Sequence, residues 1–477
     1  MNQFSKYILL ITFSGILVSC DKQLSEPPAN ARVDGTAITD QKSAQTVLNG
    51  AYYRFANVSD NNVTDWSNHQ IAGAMYSGML AYGFGSVADE RNENVNAGYV
   101  IPIWTNSYQL INAANGVIDG ISSVADNAFV GKRKSEIIGE SRFLRAYGHF
   151  KLLVFFSEWF KQDSKNGVLI RDKFITLSQV PKERSSVAES YAFILADLDF
   201  AIANAPATNP NYYATKWAAM ALKMRVLMCR GLQSDYTEVN NLGNTLIQSS
   251  PYTLENNLKD LFYTKGLSST EVILGVKAQP SQEAFYYIQS RAYYPGQSSV
   301  FAATQKFKEL LQNDPRSNWM IGPLTPFQAY SPNTYYFLKY IGLGAAPSQL
   351  SETSYAFRLT EVYLLRAEAI LRSTSGDLTT ARTLIKTVMG KAGVTDFAAV
   401  DNATTADELL LQNYYEVERN LTGEDGIEWL TLMRLPFATV RQLKPTITST
   451  VQFYFPVPRT EFDSNPLFGL QNTGYGQ

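Results

Sequence analysis

The chain is poor in the residues that most often carry chemistry. Its 477 residues include only two histidines, His69 and His149, far apart and without a metal-ligand spacing such as HExxH. Two cysteines, Cys20 and Cys229, are too few for a disulfide framework. Cys229 lies in the apolar stretch KMRVLMCRG, the setting of a buried structural thiol rather than of a nucleophile. There is no GxSxG elbow and no glycine-rich phosphate cradle. Neither sign of charge dominates, with 41 Lys and Arg against 43 Asp and Glu, so no basic field attracts nucleic acid. After the first twenty residues no run is long and apolar enough to span a bilayer. These absences leave few enzyme classes open. A pair of carboxylates of the glycosidase kind is one, because acids are plentiful.

What the chain does have is aromatic rings and helical periodicity. Aromatics make up 13% of it, with 28 Tyr and 26 Phe. The length suffices for one large domain or two to three smaller ones. At the N-terminus, Lys6, the apolar run from Tyr7 to Val18 and the small Ser19 form a secretory signal, predicted over residues 1–19. It ends Leu17-Val18-Ser19-Cys20, which looks like a bacterial lipobox, so Cys20 is expected to be lipidated and to become the first mature residue. Acyl chains contribute about 0.8 kcal/mol per buried CH₂, so several hold a protein firmly to a bilayer. Residues 20–38 are polar and rich in Pro and Ala and read as a tether, with a single folded body over 39–477.

The stretch Arg358–Arg372, RLTEVYLLRAEAILR, is apolar around most of its circumference, with only Glu361, Glu368 and Arg372 forming a plainly polar strip. Such a helix is packed on several sides. Those residues alone would equally suit a buried helix of any large α-protein. Further helices are predicted over 39–58, 104–121, 132–159 and 404–422, while 180–205 starts with a Pro181-containing loop and continues as a helix after a Ser186/Glu189 capping-box spacing. Two helix pairs, 214–230 with 236–249 and 354–373 with 378–391, are joined by short turns containing Gly and Asp, the unit of tetratricopeptide-like solenoids. The fold class read from this is mostly α: stacked, tetratricopeptide-like helix pairs carrying a loop-rich face with a few short strands.

Two segments depart from the helical texture, about 59–103 and about 251–350. Both are rich in Asn, Gly, Ser and aromatics. The second includes a strand-like run, Val272–Val276, and one predicted helix, 303–312. Sugar rings present C–H faces that pack on aromatic rings, and their hydroxyls need polar partners. Candidate ligand-binding residues of that chemistry are Trp66, Asn68, Tyr76, Tyr82, Asp89 and Arg91 in the first segment, and Tyr293, Tyr294, Gln297 and Trp319 in the second. Each ring could instead simply pack the irregular layer onto the helices. The tail FYFPVP (453–458) cannot be a central strand because of its prolines, and is expected to lie over the helices.

Several blocks, in order, resemble the SusD/RagB-like nutrient-binding outer-membrane lipoproteins. They are GESRFLRAYGHF (139–150), VPKERSSVAESYAFILADLDFAI (180–202), the Trp104/Tyr108/Asn115 helix, RLTEVYLLRAEA (358–369) and the ending YFPVPRTEFDSNP (454–466) with Gln471-Asn472. In ERNLTGEDGIEWLTL (418–432), one residue shorter than the family's stretch, Glu428 stands where the family has Arg and Thr431 where it has Asp, and these look like structural ion-pair positions. The resemblance implies a non-catalytic lipoprotein facing outward from the outer membrane. Such a protein binds an oligosaccharide or polysaccharide and delivers it to a SusC-like TonB-dependent transporter; no cofactor, metal or nucleic acid is implied. A surface glycosidase, or a scaffold that binds only the transporter or a non-glycan nutrient, are the alternatives.

Overall fold

The computed structural model describes residues 38–59, 62–82, 100–176, 179–279, 293, 301–323, 334–341, 350–374 and 376–476. Helix α1 spans Gln41–Phe55 and starts at Asp40, whose carboxylate accepts from the Ser43 amide in a capping box. It is followed by α2 (Ser67–Ser77), β1 (Leu80–Tyr82), α3 (Ile101–Ser122) and α4 (Arg133–Phe156). Next come α5 (Val187–Asn204), capped by the expected Ser186/Glu189 box, then α6 (Lys216–Arg230) and α7 (Gln233–Ser249). Then follow β2 (Val272–Val276), β3 (Phe301–Ala303), α8 (Gln305–Leu310), β4 (Ile321–Gly322), β5 (Tyr336–Phe337) and β6 (Ser354–Arg358). Helices α9 (Leu359–Arg372), α10 (Leu378–Lys391), α11 (Ala406–Leu421), α12 (Ile427–Met433), α13 (Phe437–Leu443) and α14 (Arg459–Ser464) complete the chain order used here.

Each long helix packs on its neighbours in sequence: α3 on α4, α4 on α5, α5 on α6, α6 on α7, then α7 on α9 and α9 on α10 and α11. That serial contact is the logic of a solenoid, where each unit buries its apolar stripe against the next. Helix α9 touches α6, α7, strand β6, α10 and α11, as its all-round apolar surface requires. No helix among the described residues is long and apolar enough to cross a membrane.

Two predicted helices begin later than expected. Residues 354–358 are strand β6, antiparallel to β2, and α9 starts only at Leu359. Residues 301–303 are strand β3, and α8 starts at Gln305 behind an Asn-free cap in which the Thr304 hydroxyl accepts from Phe307. In both cases the strand's partner is distant in sequence, so the local apolar pattern could not show it. The tail lies over the helices as expected: the Phe455 amide donates to the Phe155 carbonyl (2.7 Å), and Asn472 Nδ2 donates to that of Phe156 (2.9 Å).

The two loop-rich segments are joined in one sheet of order β1-β3-β5-β4, all pairs antiparallel, with Leu80 opposite Ala303 and Ala81 opposite Ala302. A second apolar cluster lies under this layer, built from Met75, Met79, Leu80, Phe262, Phe307, Met320, Phe337 and Tyr355. Buried ions tie it to the scaffold. Arg358 on β6 holds Glu271 and donates to Glu424 (2.7 and 2.8 Å), which also accepts from Lys339 (2.6 Å). Arg225 on α6 pairs with Glu361 and with Asp425 (2.6 Å), and Asp425 also meets Lys151 (2.8 Å) and His69 (3.4 Å).

Candidate functional site

The described rings proposed as ligand contacts face inward. Trp66 is fully buried, stacks on His69 with centroids 4.5 Å apart, and donates Nε1 to the Phe55 carbonyl. Tyr76 is fully buried against Trp429 and Phe455. Tyr293 is buried between Phe337 and Tyr340 and donates its hydroxyl to Gln70 (2.8 Å). Trp319, in the helical turn Ser317–Met320, is 8% exposed and packs on Phe262 and Tyr263. These four rings fill the cores beneath the irregular layer. Asn68 is half-buried on α2. Of Tyr82 only the backbone, in β1, is described; Asp89, Arg91, Tyr294, Gln297 and Cys20 lie outside the described residues.

An open, ring-lined concavity exists at another place. A cleft of about 310 Å³ lies where α1 ends, beside the Tyr212–Tyr213 loop and the exit of β2. It adjoins the departure points of both loop-rich segments, since Ala56 and Gln279 line it. Tyr52 and Tyr53 are neighbours on α1, and 100° of helical rotation divides their roles. Tyr52 points into the core, where its hydroxyl donates to Glu140 Oε2 (2.7 Å) and accepts from the Ala214 amide (2.8 Å). Burial and the Glu140 carboxylate hold that phenol well above its usual range. Tyr53 points outward and is 45% exposed.

Tyr213 packs edge-on to Tyr52 (4.7 Å between centroids) and donates to Asn49 Oδ1 (3.3 Å). Tyr212 leans on Tyr213 (4.8 Å, 52°). The loop is pinned to the sheet, because the Gly275 amide donates to the Asn211 carbonyl (2.7 Å). The result is a wall of half-open phenol rings on a rigid base, with Lys277 and Gln279 beside it. Tyr53, Tyr212 and Tyr213 are not among the sequence-predicted ligand contacts. The adjacent Tyr-Tyr pair on α1 was the available signal, since on an amphipathic helix 100° of rotation turns one of two neighbours away from the packed stripe.

A larger cleft, about 780 Å³, lies between α3 and α14 and is lined by Trp104, Tyr108 and Phe174. Two of its polar side chains are engaged within the protein: both amide ends of Asn112 bond the Ile175 backbone, and Arg171 donates to the carbonyls of Gln179 and Val180. It therefore offers little to read a ring of hydroxyls.

Two family models match the chain. Residues 26–228 match one described as "Starch-binding associating with outer membrane", of SusD-like type, and residues 289–434 match the SusD family model of SusD and RagB proteins. The chain belongs to the SusD/RagB family. A SusD-like protein of Bacteroides ovatus is 21% identical over 290 residues, 58% of this chain and 50% of that protein; the chain thus matches about half the length of this relative. Solved structures agree in fold. A SusD superfamily protein of Bacteroides thetaiotaomicron superposes with a TM-score of 0.73 at 20% identity, covering 91% of this chain and all of that one. A SusD-like carbohydrate-binding protein of Bacteroides vulgatus gives 0.68 at 17% identity, covering 83% and 84%. A laminarin-binding SusD-like protein gives 0.71 at 19%, covering 92% and 100%. This SusD/RagB protein keeps the family's tetratricopeptide-like helical frame. Glu428, where the resemblance implied an Arg, is buried near Glu418 and among the described residues makes no ion pair. Burial and that neighbour push the Glu428 carboxyl up to about 8, and burial pushes Glu418 up to about 7.

Proposed function

We propose that this SusD/RagB protein is a non-catalytic glycan-capture protein, held at the outer-membrane surface through a lipid on Cys20, which passes an oligosaccharide to a partner TonB-dependent transporter. The observation that carries the binding step is the tyrosine cleft: an exposed phenol at Tyr53 and a half-buried one at Tyr212 beside amide and ammonium donors, on a fixed backbone. C–H faces of a sugar stack on such rings, and its hydroxyls take the flanking donors. Asn49 uses its side-chain oxygen internally, with Gln45 and Tyr213, and among the described residues its amide nitrogen donates to none of them. Family membership supports the reading, as do relatives named for binding carbohydrate and laminarin. Tyr294 and Gln297 lie outside the described residues, and we propose that they belong to the same ligand surface.

The test is calorimetric titration against a panel of oligosaccharides, with product analysis in parallel. A binder should saturate with one or more glycans and release no shorter sugar over hours. Tyr53→Ala or Tyr212→Ala should weaken it about fivefold or more, the loss of roughly 1 kcal/mol of ring contact. Turnover abolished by replacing a single Glu would overturn the reading in favour of a glycosidase. Absence of any glycan binding, together with co-purification of a large β-barrel, would overturn it in favour of a scaffold.

A further inference from the structure

Among the residues that line the tyrosine cleft, one carries a charge, and it is a cation: Lys277, exposed just beyond β2. Its ammonium lies 4.8 Å from the centre of the Tyr212 ring. No carboxylate pairs with it among the described residues, whereas Lys223 has Asp199 and Lys265 has Glu255. Glu140, the acid that Tyr52 touches, is fully buried and already bound by Arg133 (2.9 Å). Among the described residues the cleft therefore presents stacking rings and one uncompensated positive charge, with no acid on its wall.

Resting on the reading that this cleft binds glycan, we propose that its ligand is an acidic oligosaccharide, one bearing a uronate carboxylate or a sulfate ester, with the anionic group on Lys277 and a sugar face on Tyr53 or Tyr212. A hydrogen bond from ammonium to an anion is roughly twice as strong as one between neutral groups, so an unpaired lysine favours an anion over a hydroxyl. The cation–π contact with Tyr212 fixes where the ammonium sits without neutralising it. Lysine acts as a compact point charge and demands no planar, two-point partner, so carboxylate and sulfate both fit.

The experiment uses the purified full-length protein and four probes: a uronate oligosaccharide, its carboxyl-reduced counterpart, a sulfated oligosaccharide, and its desulfated counterpart. At low salt at least one acidic probe should bind about tenfold more tightly than its neutral counterpart, and the gap should close as added salt shortens the Debye length from ~30 Å to ~3 Å. Lys277→Gln should remove the gap, and Lys277→Arg should keep most of it. Which acidic probe shows the gap tells carboxylate from sulfate. Equal binding of acidic and neutral partners, weakened by Tyr53→Ala, would sink the anionic inference and leave glycan capture standing. Failure of all four probes and of neutral glycans, or binding indifferent to both tyrosines, would sink the two together.

Discussion

At the scale of single residues, the feature that departs most from its surroundings is the pair Glu418 and Glu428. Both are fully buried, and Glu418 Oε1 and Glu428 Oε2 have no hydrogen-bond partner. With folded values raised to about 7 and about 8, they keep their protons in the folded state at pH values where an unfolded chain has released them. The stability they confer is thus complete below the unfolded carboxyl pKa and is lost as pH rises through 7 to 8. The melting temperature should fall between pH 6 and pH 9, and Glu428→Gln, which keeps the shape and removes the second charge, should flatten that fall. A scan of Tm against pH for both proteins checks this; parallel curves would show that the pair does not control it. Asp425 works in the opposite sense. Lys151, His69 and Arg225 outweigh the burial of its carboxyl and hold it below the usual range, so its contribution is lost only as pH falls through that depressed value. Arg358 is the cation the irregular layer depends on. Arg358→Met would leave Glu271 and Glu424 buried with only part of their partners, and should cost about 3–5 kcal/mol in denaturant unfolding.

Between elements, close approach decides what the helices can carry. Gly73 on α2 faces Gly426 at the start of α12, where a Cβ would come within 2.4 Å of the Gly426 Cα. Gly426 itself has φ +79°, which favours glycine there. Gly73→Ala should destabilise by about 1–3 kcal/mol, because backbone would have to move. Gly50 on α1 meets nothing within 4 Å of a built Cβ. Gly50→Ala should stabilise by about 0.5–1 kcal/mol, the ordinary helical gain of alanine over glycine. Urea unfolding of the two variants side by side tests whether the α2–α12 contact is as tight as described. That contact matters for function because α2 leads into β1, the strand that hands the first loop-rich segment to the second.

For the whole molecule, the proposed anchoring and the proposed capture should be separable. Cys20→Ser should move the protein from the membrane fraction to the soluble fraction in its native host, since a single unacylated chain of this composition has no spanning helix among its described residues to retain it. Glycan affinity measured on the released protein should be unchanged. A bound oligosaccharide at a hundredfold excess over its Kd should add about 2.7 kcal/mol to stability, visible as a rise in Tm that the Tyr53→Ala variant loses.

Sequence alone determined the helical frame, because the pattern that makes a helix is written within a turn or two. The caps at Asp40 and Ser186, the all-round apolar surface of α9 and the strand Val272–Val276 are local statements, and the structure repeats them. Sequence also determined the chemistry the surface could use, many rings and few reactive groups. Tertiary structure decided which rings are free. Trp66, Tyr76, Tyr293 and Trp319 share the loop-rich texture that marks a binding face, yet each found a core to fill once β1 had paired with β3 across more than two hundred residues. Tyr53 became surface because its neighbour Tyr52 took the inward place, and Tyr212 and Tyr213 stay half-buried at the cleft. An aromatic ring gains from burial wherever burial is offered, and only the packing of distant segments determines where that is.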